Sequence, residues 1–210
     1  MTQRFQVHPV NPQRRLIAQA VEIIRKGGLM IYPTDSCYAF GWHIGDRDPA
    51  ERLQQIRQTG KAHNFTLACR DLSEIATYAR VENWCYRLLR AHTPGPYTFV
   101  LKATREVPRR LQNPHRQTIG IRVPEHKVAH TLLELLGEPM LSCTLQWPDD
   151  DEPIGDPEEH RDELERAVDL VLDAGTCGLV PTTVLDLSGS APMLIRQGRG
   201  DVSMLGLGEA

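Results

Sequence analysis

Seven short segments carry residue types that could do chemistry, and most of them sit just past an apolar run. PTDSCYAFGW (Pro33 to Trp42) groups Thr34, Asp35, Ser36 and Tyr38, three hydroxyls and a carboxylate, in a loop able to hold an amino-acid-sized polar ligand. The same residues are common in plain turns. KAHNF (65 is its Phe) offers Lys61 and His63 to a phosphate or to solvent. TPGPYTFVL holds two prolines that stiffen a turn. TIGIRVP places Arg122 inside an otherwise apolar strand, where a guanidinium needs a partner and suits a carboxylate or phosphate. A structural ion pair would serve it equally. LSCTLQ sets Ser142 and Thr144 on one strand face by period two. PTTVLDL puts Thr182 and Thr183 at a strand start, and IRQGRG puts Arg196 and Arg199 around a glycine turn whose amides could meet an anion.

Other chemistries find no support. There is no GxxxxGK(S/T) phosphate loop, HExxH zinc helix or GxSxG nucleophile elbow. The eight histidines are dispersed. The five cysteines are odd in number and lack a CxxC. Neither a disulfide framework nor a protein-held metal is expected, and a reducing cytoplasm fits best. No run is apolar and long enough for a membrane helix, and nothing at the N-terminus reads as a secretory signal.

The elements that must position these segments alternate. Asn11-Pro12 should open a helix with Leu16, Ile17, Ala20, Val21 and Ile24 on one face, stopped by Gly27-Gly28. LMIYP, FTLAC, YTFVLKA, TIGIRV, MLSCTL and three late segments near Leu170, Val184 and Ile195 read as strands. Helices are expected from Asp48-Pro49 to Gln58, from an Asp71/Glu74 capping box, over Trp84 to His92, through Val128, Leu132, Leu135 and Leu136 to Gly137, and from Asp156-Pro157 to Arg166. With 210 residues and no Gly-, Pro- or Ser-rich linker, this is one domain of α/β class with a mixed sheet.

The net charge of -3 hides a partition. Residues 149–173 alone carry -10, which leaves +7 on the remainder. Within that basic body Lys102, Arg105, Arg109, Arg110 and Arg116 cluster in sequence, so a polyanionic partner such as RNA is allowed.

Taken in order, GGLMIYPTDSCYAFG, PGPYTFVL, TIGIRVP, MLSCT, PTTVLDL and IRQGRGD resemble the YrdC/YciO family over nearly the whole chain. HNFTLACRDLSEIATYA, TPGPYTFVLKATREVPRRL and LGEPMLSCTL resemble its YciO branch more than its threonylcarbamoyl-adenylate synthases. The resemblance implies a single-domain, twisted open mixed sheet with flanking helices (YrdC/RibB-like) around a positively charged cavity. It implies binding of nucleotide (ATP or AMP) and of double-stranded RNA or tRNA. The synthases consume L-threonine, bicarbonate and Mg-ATP. Carried over residue by residue, Thr34, Tyr38, Arg122, Ser142 and Thr182 would hold an L-threonine-like substrate. Lys61, His63, Thr118, Thr144 and Arg196 would hold the nucleotide, and Lys102, Arg105, Arg109, Arg110 and Arg116 the RNA. Where synthases carry KxR and SAN motifs, this chain reads KAHNF and Thr144-Leu145-Gln146. These departures fall on the phosphate side, so binding is the expectation and synthase catalysis the alternative.

Overall fold

A computed structural model describes residues 2–58, 65–203 and 205. In chain order the elements are β1 (Gln3–Gln6), α1 (Arg14–Arg25), β2 (Met30–Tyr32), β3 (Ala39–His43), α2 (Asp48–Ile56), β4 (Thr66–Ala68), α3 (Leu72–Tyr78), α4 (Asn83–His92) and β5 (Tyr97–Lys102). After a 3-10 turn at Arg109–Leu111 come β6 (Thr118–Arg122), α5 (Lys127–Leu136), β7 (Met140–Thr144), α6 (Arg161–Ala167), β8 (Leu170–Asp173), β9 (Thr183–Asp186) and β10 (Met193–Arg196). The ten strands among the described residues join one sheet in the order β1-β8-β2-β3-β7-β4-β6-β5-β9-β10. Its pairings are both parallel, as in β4–β6 and β5–β9, and antiparallel, as in β3–β7 and β5–β6. The expected mixed α/β sheet is therefore present.

Strand side chains alternate between faces, and here the two faces differ. One takes Leu67, Phe99, Leu101, Ile119, Ile121, Leu141 and Leu185 into a continuous core with Leu53 of α2, Ile75 of α3, Leu89 of α4 and Leu164 of α6. The other face is divided. Met30, Tyr32, Ala39, Ala68, Met140, Leu170 and Leu172 are covered by α1 and α5, through Ile17, Ala20, Val21, Ile24, Val128, Leu132, Leu133 and Leu136. Farther along the sheet that same face carries hydroxyls and an arginine instead of apolar groups, and it stays open.

Several elements differ from the sequence reading. The first helix begins at Arg14 rather than at Asn11-Pro12, because the Asn11 N–H is taken by the His8 Nδ1 and Gln13 is the N-cap. The second ends at Ile56, since Gln58 adopts φ +49°. The segment from Ala39 to His43, read as loop, is strand β3, paired on both sides. β1, with only Phe5 apolar, is formed by edge pairing to β8, a tertiary cause invisible in local pattern. Asp156 caps only a turn, through its Oδ1 and the Glu158 N–H, and the helix starts at Arg161. On α5 it is Leu133, not Leu135, that is fully buried. The capping box is present: Asp71 Oδ1 accepts from the Glu74 N–H at 2.9 Å, while Glu74 reaches back to the Arg70 N–H at 2.6 Å. Gly137, at φ +78°, closes α5 in the left-handed conformation glycine favours.

Candidate functional site

The open part of the sheet face forms the floor of a cavity of about 360 Å³, a size suited to a small-molecule ligand. Period two builds it directly. Thr118, Gly120 and Arg122 of β6, Thr98 and Val100 of β5, Ser142 and Thr144 of β7 and Thr66 of β4 all face it. Thr182, Val184, Ile195 and Arg196 close the β9–β10 side. Gly120 sits mid-floor, where a Cβ would come within 3.2 Å of the Thr66 hydroxyl. Its missing side chain keeps the floor deep.

The chemistry of the lining is one-sided. Six hydroxyl residues (Thr66, Thr98, Thr118, Ser142, Thr144, Thr182) and four arginines (Arg57, Arg116, Arg122, Arg196) face the space, with the amides of Asn113 and Gln146. No carboxylate, lysine or histidine among the described residues lines it. The Thr98 and Thr182 hydroxyls are bonded at 2.9 Å, and Ser142 Oγ is 2.8 Å from the Tyr32 phenol. Burial pushes that phenol up to about 12, so it stays protonated. Cys37 and Cys143 also touch the cavity; burial raises both thiols, Cys143 to about 11, which keeps them from acting as thiolates at neutral pH.

Each arginine is anchored. Arg122 pairs through Nη2 with Asp35 Oδ1 and donates from Nη1 to Ser36 Oγ at 3.3 Å. Both side chains of that ion pair are more than nine-tenths buried, and among the described residues Arg122 Nε and Asp35 Oδ2 have no hydrogen-bond partner. Arg116 donates to Asp186 Oδ2 at 2.5 Å and to Ser188 Oγ at 2.8 Å. Burial opposes charge on Asp186, yet the Ser188 hydroxyl and N–H together with Arg116 hold its carboxyl below the usual range. Arg57 donates to the Thr144 carbonyl at 2.7 Å, and Arg196 to the Thr182 carbonyl at 2.9 Å.

The sequence candidates thus divide. Arg122, Ser142, Thr182, Thr118, Thr144 and Arg196 are brought together in the lining. Thr34 is not in it: its buried hydroxyl donates to the Cys37 carbonyl at 2.6 Å and accepts from the Ser36 and Cys37 N–H groups, fixing the loop that aims Asp35 at Arg122. Tyr38, also expected at the substrate, is not among the lining residues. Its fully buried ring points away, and its hydroxyl donates to the Gly175 carbonyl at 2.7 Å and accepts from the Ala174 N–H at 3.0 Å. Lys61 and His63 lie outside the described residues. Lys102, Arg105 and Arg109 are exposed, and Arg110 is exposed while donating to the Ile44 and Gly45 carbonyls. Arg116, grouped with them by sequence, instead stands at the cavity with Asp186. Sequence reasoning missed Arg57, Thr98, Asn113 and Asp186. Thr98 was findable, since it is a lone threonine inside a mostly apolar strand; Arg57 follows an amphipathic helix and has no local signal.

A family model named for Sua5, YciO and YrdC and described as "Telomere recombination" matches residues 22–198. The chain belongs to the Sua5/YciO/YrdC family. It is 55% identical to the uncharacterized protein YciO of Escherichia coli over 96% of this chain and 98% of that one. The crystal structure of E. coli YciO superposes with a TM-score of 0.93, covering 98% of this chain and all of that one. A threonylcarbamoyl-AMP synthase from Chromobacterium violaceum is 32% identical across 65% of this chain and 70% of its own length. Sua5 of Pyrococcus abyssi, solved with L-threonine, shares the fold at a TM-score of 0.85 and 23% identity, over 94% of this chain and 58% of that one. The protein is thus a YciO-like member related to the Sua5 threonylcarbamoyl-AMP synthases.

Proposed function

We propose that the protein binds a nucleotide, ATP or AMP, in this cavity, and double-stranded RNA or tRNA through its exposed basic residues. One observation carries the first part: four arginines and six hydroxyls line the space and no carboxylate does, among the described residues. Guanidinium groups in a partly dry site bind phosphate oxygens with charge-assisted hydrogen bonds, and threonine and serine hydroxyls suit ribose and phosphate. Magnesium would arrive on the ATP phosphates. Among the described residues no group of three or more His, Cys, Asp or Glu is placed to hold a metal ion. For RNA, the exposed Lys102, Arg105, Arg109 and Arg110 offer a sequence-independent electrostatic surface. We place the protein in a reducing cytoplasm, where its five free cysteines would persist. No helix among the described residues is long and apolar enough to cross a membrane.

A second reading is favoured by the 32% identity to a threonylcarbamoyl-AMP synthase. The amine of L-threonine would condense with bicarbonate, losing water, to give a carbamate; a carbamate oxygen would then bond to the α-phosphorus of ATP as the α–β P–O bond breaks and pyrophosphate leaves. The chain's part would be positioning and charge neutralisation, which need no protein nucleophile. Isothermal titration with ATP, with and without L-threonine and bicarbonate, tests both. ATP binding alone supports the first reading; coupled binding with pyrophosphate release establishes the second; no ATP binding overturns both.

A further inference from the structure

The sheet ends differently at its two edges. β1, the first edge, is polar apart from Phe5, and its Arg4 is tied to Glu158 and Asp173. β10, the other edge, is exposed along its whole length, and no strand among the described residues pairs with its outer side. It holds three apolar side chains in succession: Met193 is 56% exposed, Leu194 39% and Ile195 52%. Leu179 and Val180 lie just before Pro181, whose carbonyl accepts from the Arg199 N–H beyond the end of β10. Together these make up five of the seven large apolar side chains exposed among the described residues. Apolar groups gathered along an open sheet edge mark a docking surface.

The apolar groups of β10 point to both faces of the sheet. Leu194 is opposite Leu185, a core residue, so it stands on the core side. Met193 is opposite Asp186, which shares the cavity side with Val184. The bulge between Leu194 and Arg196 makes Ile195 the extra residue, and Ile195 also lines the cavity. A partner strand must therefore offer apolar groups on both faces at the same spacing, and β10 of a second copy does so. Run antiparallel about a two-fold axis through Leu194, it sets Leu194 against Leu194 on the core side. On the cavity side it sets Met193 of each copy against Ile195 of the other. Arg196 then faces Pro192 rather than another arginine, and its guanidinium is turned back to the Thr182 carbonyl. No like charges meet.

We infer that two copies of this chain pair through β10 in this register and join their sheets into one. The axis stands normal to the sheet, so both cavities open on the same side. Met193 of each copy packs on Ile195 of the other and so completes the outer wall of its cavity. A four-residue ladder and five half-exposed side chains offer less than the roughly 800 Å² per partner of a stable complex, so the association is reversible and depends on concentration. Sedimentation velocity of the full chain from about 1 µM to about 1 mM tests it. Wild type should move from 23.7 kDa toward twice that mass. Leu194→Glu and Leu194→Lys each oppose like charges on the axis and should stay at the monomer mass, with thermal melts matching wild type. Mixed in equal amounts they should associate again, because a two-fold through position 194 sets the new carboxylate of one against the new ammonium of the other. Val10→Lys, at an exposed apolar residue elsewhere, should follow wild type. A wild type still monomeric at about 1 mM, a Leu194→Glu variant that associates like wild type, or a mixture that stays monomeric overturns the inference. If a charged variant does not fold, Leu194→Cys decides. On the axis its two sulfurs come within disulfide reach, so mild oxidation must give a reducible dimer beyond the level wild type shows, and its absence overturns the inference.

Discussion

Two halves of one sheet face make the instructive contrast. Under α1 and α5 the inward positions are Met30, Tyr32, Ala39, Ala68, Met140, Leu170 and Leu172, and the face is dry core. A few strands farther along, the inward positions are Thr66, Thr98, Thr118, Gly120, Arg122, Ser142 and Thr144, and the face is a cavity. Backbone, pleat and period are the same. β7 passes from one half to the other within five residues, Met140 beneath the helices and Thr144 in the open site. Apolar side chains recruit a helix because burying them is favourable. Hydroxyls and guanidiniums refuse one because their desolvation needs partners. The site is thus the part of the face that the chain's composition keeps uncovered.

Breaking the open half at its buried charge should cost most. Asp35→Ala leaves Arg122 buried and unpaired, and stability in urea should fall by about 3–5 kcal/mol. A loss below about 1 kcal/mol would mean the pair is well hydrated. In the covered half Leu132→Ala removes a fully buried side chain from α5 and should cost about 2–4 kcal/mol while leaving ATP affinity unchanged. Acid titration sharpens the contrast further. The Asp186 carboxyl is held below its unfolded value, so its contribution is intact above that value, near pH 4, and is lost as pH falls through the lower folded value. Asp186→Asn should flatten that part of the stability curve, and an unchanged curve would remove Asp186 from the account. Thr118→Val should change stability by no more than about 1 kcal/mol yet weaken ATP binding several-fold. The smallest effect on folding is expected on the exposed surface. Arg105→Glu with Arg109→Glu should leave the melt unmoved while lowering RNA affinity and the steepness of its salt dependence.

Much of this contrast was readable before the structure. TIGIR alternates throughout and MLSCT from Leu141 onward, so their cavity-facing and core-facing residues are separable by counting, whereas the run Phe99-Val100-Leu101 in β5 hides the cavity-facing Val100. The apolar faces of α1 and α5 were equally plain. The misses have physical causes. Tyr38 follows a cluster of hydroxyls in sequence, yet it lies outside the cavity lining and its hydroxyl serves a loop some 136 residues away. β3 was hidden behind that polar cluster. Arg116 joined a basic run in sequence, whereas a buried aspartate from β9 draws it to the cavity. Arg57 reaches the site only because α2 ends beside β7, a relation that no local pattern records.

The central claim is that the open half of the face is an anion site. Titration of the wild-type protein with ATP at low and high salt tests it most directly. The account predicts measurable ATP binding that weakens markedly as salt rises, with adenosine bound more weakly at low salt. ATP binding that is absent, or no stronger than that of adenosine at every salt concentration, would contradict it.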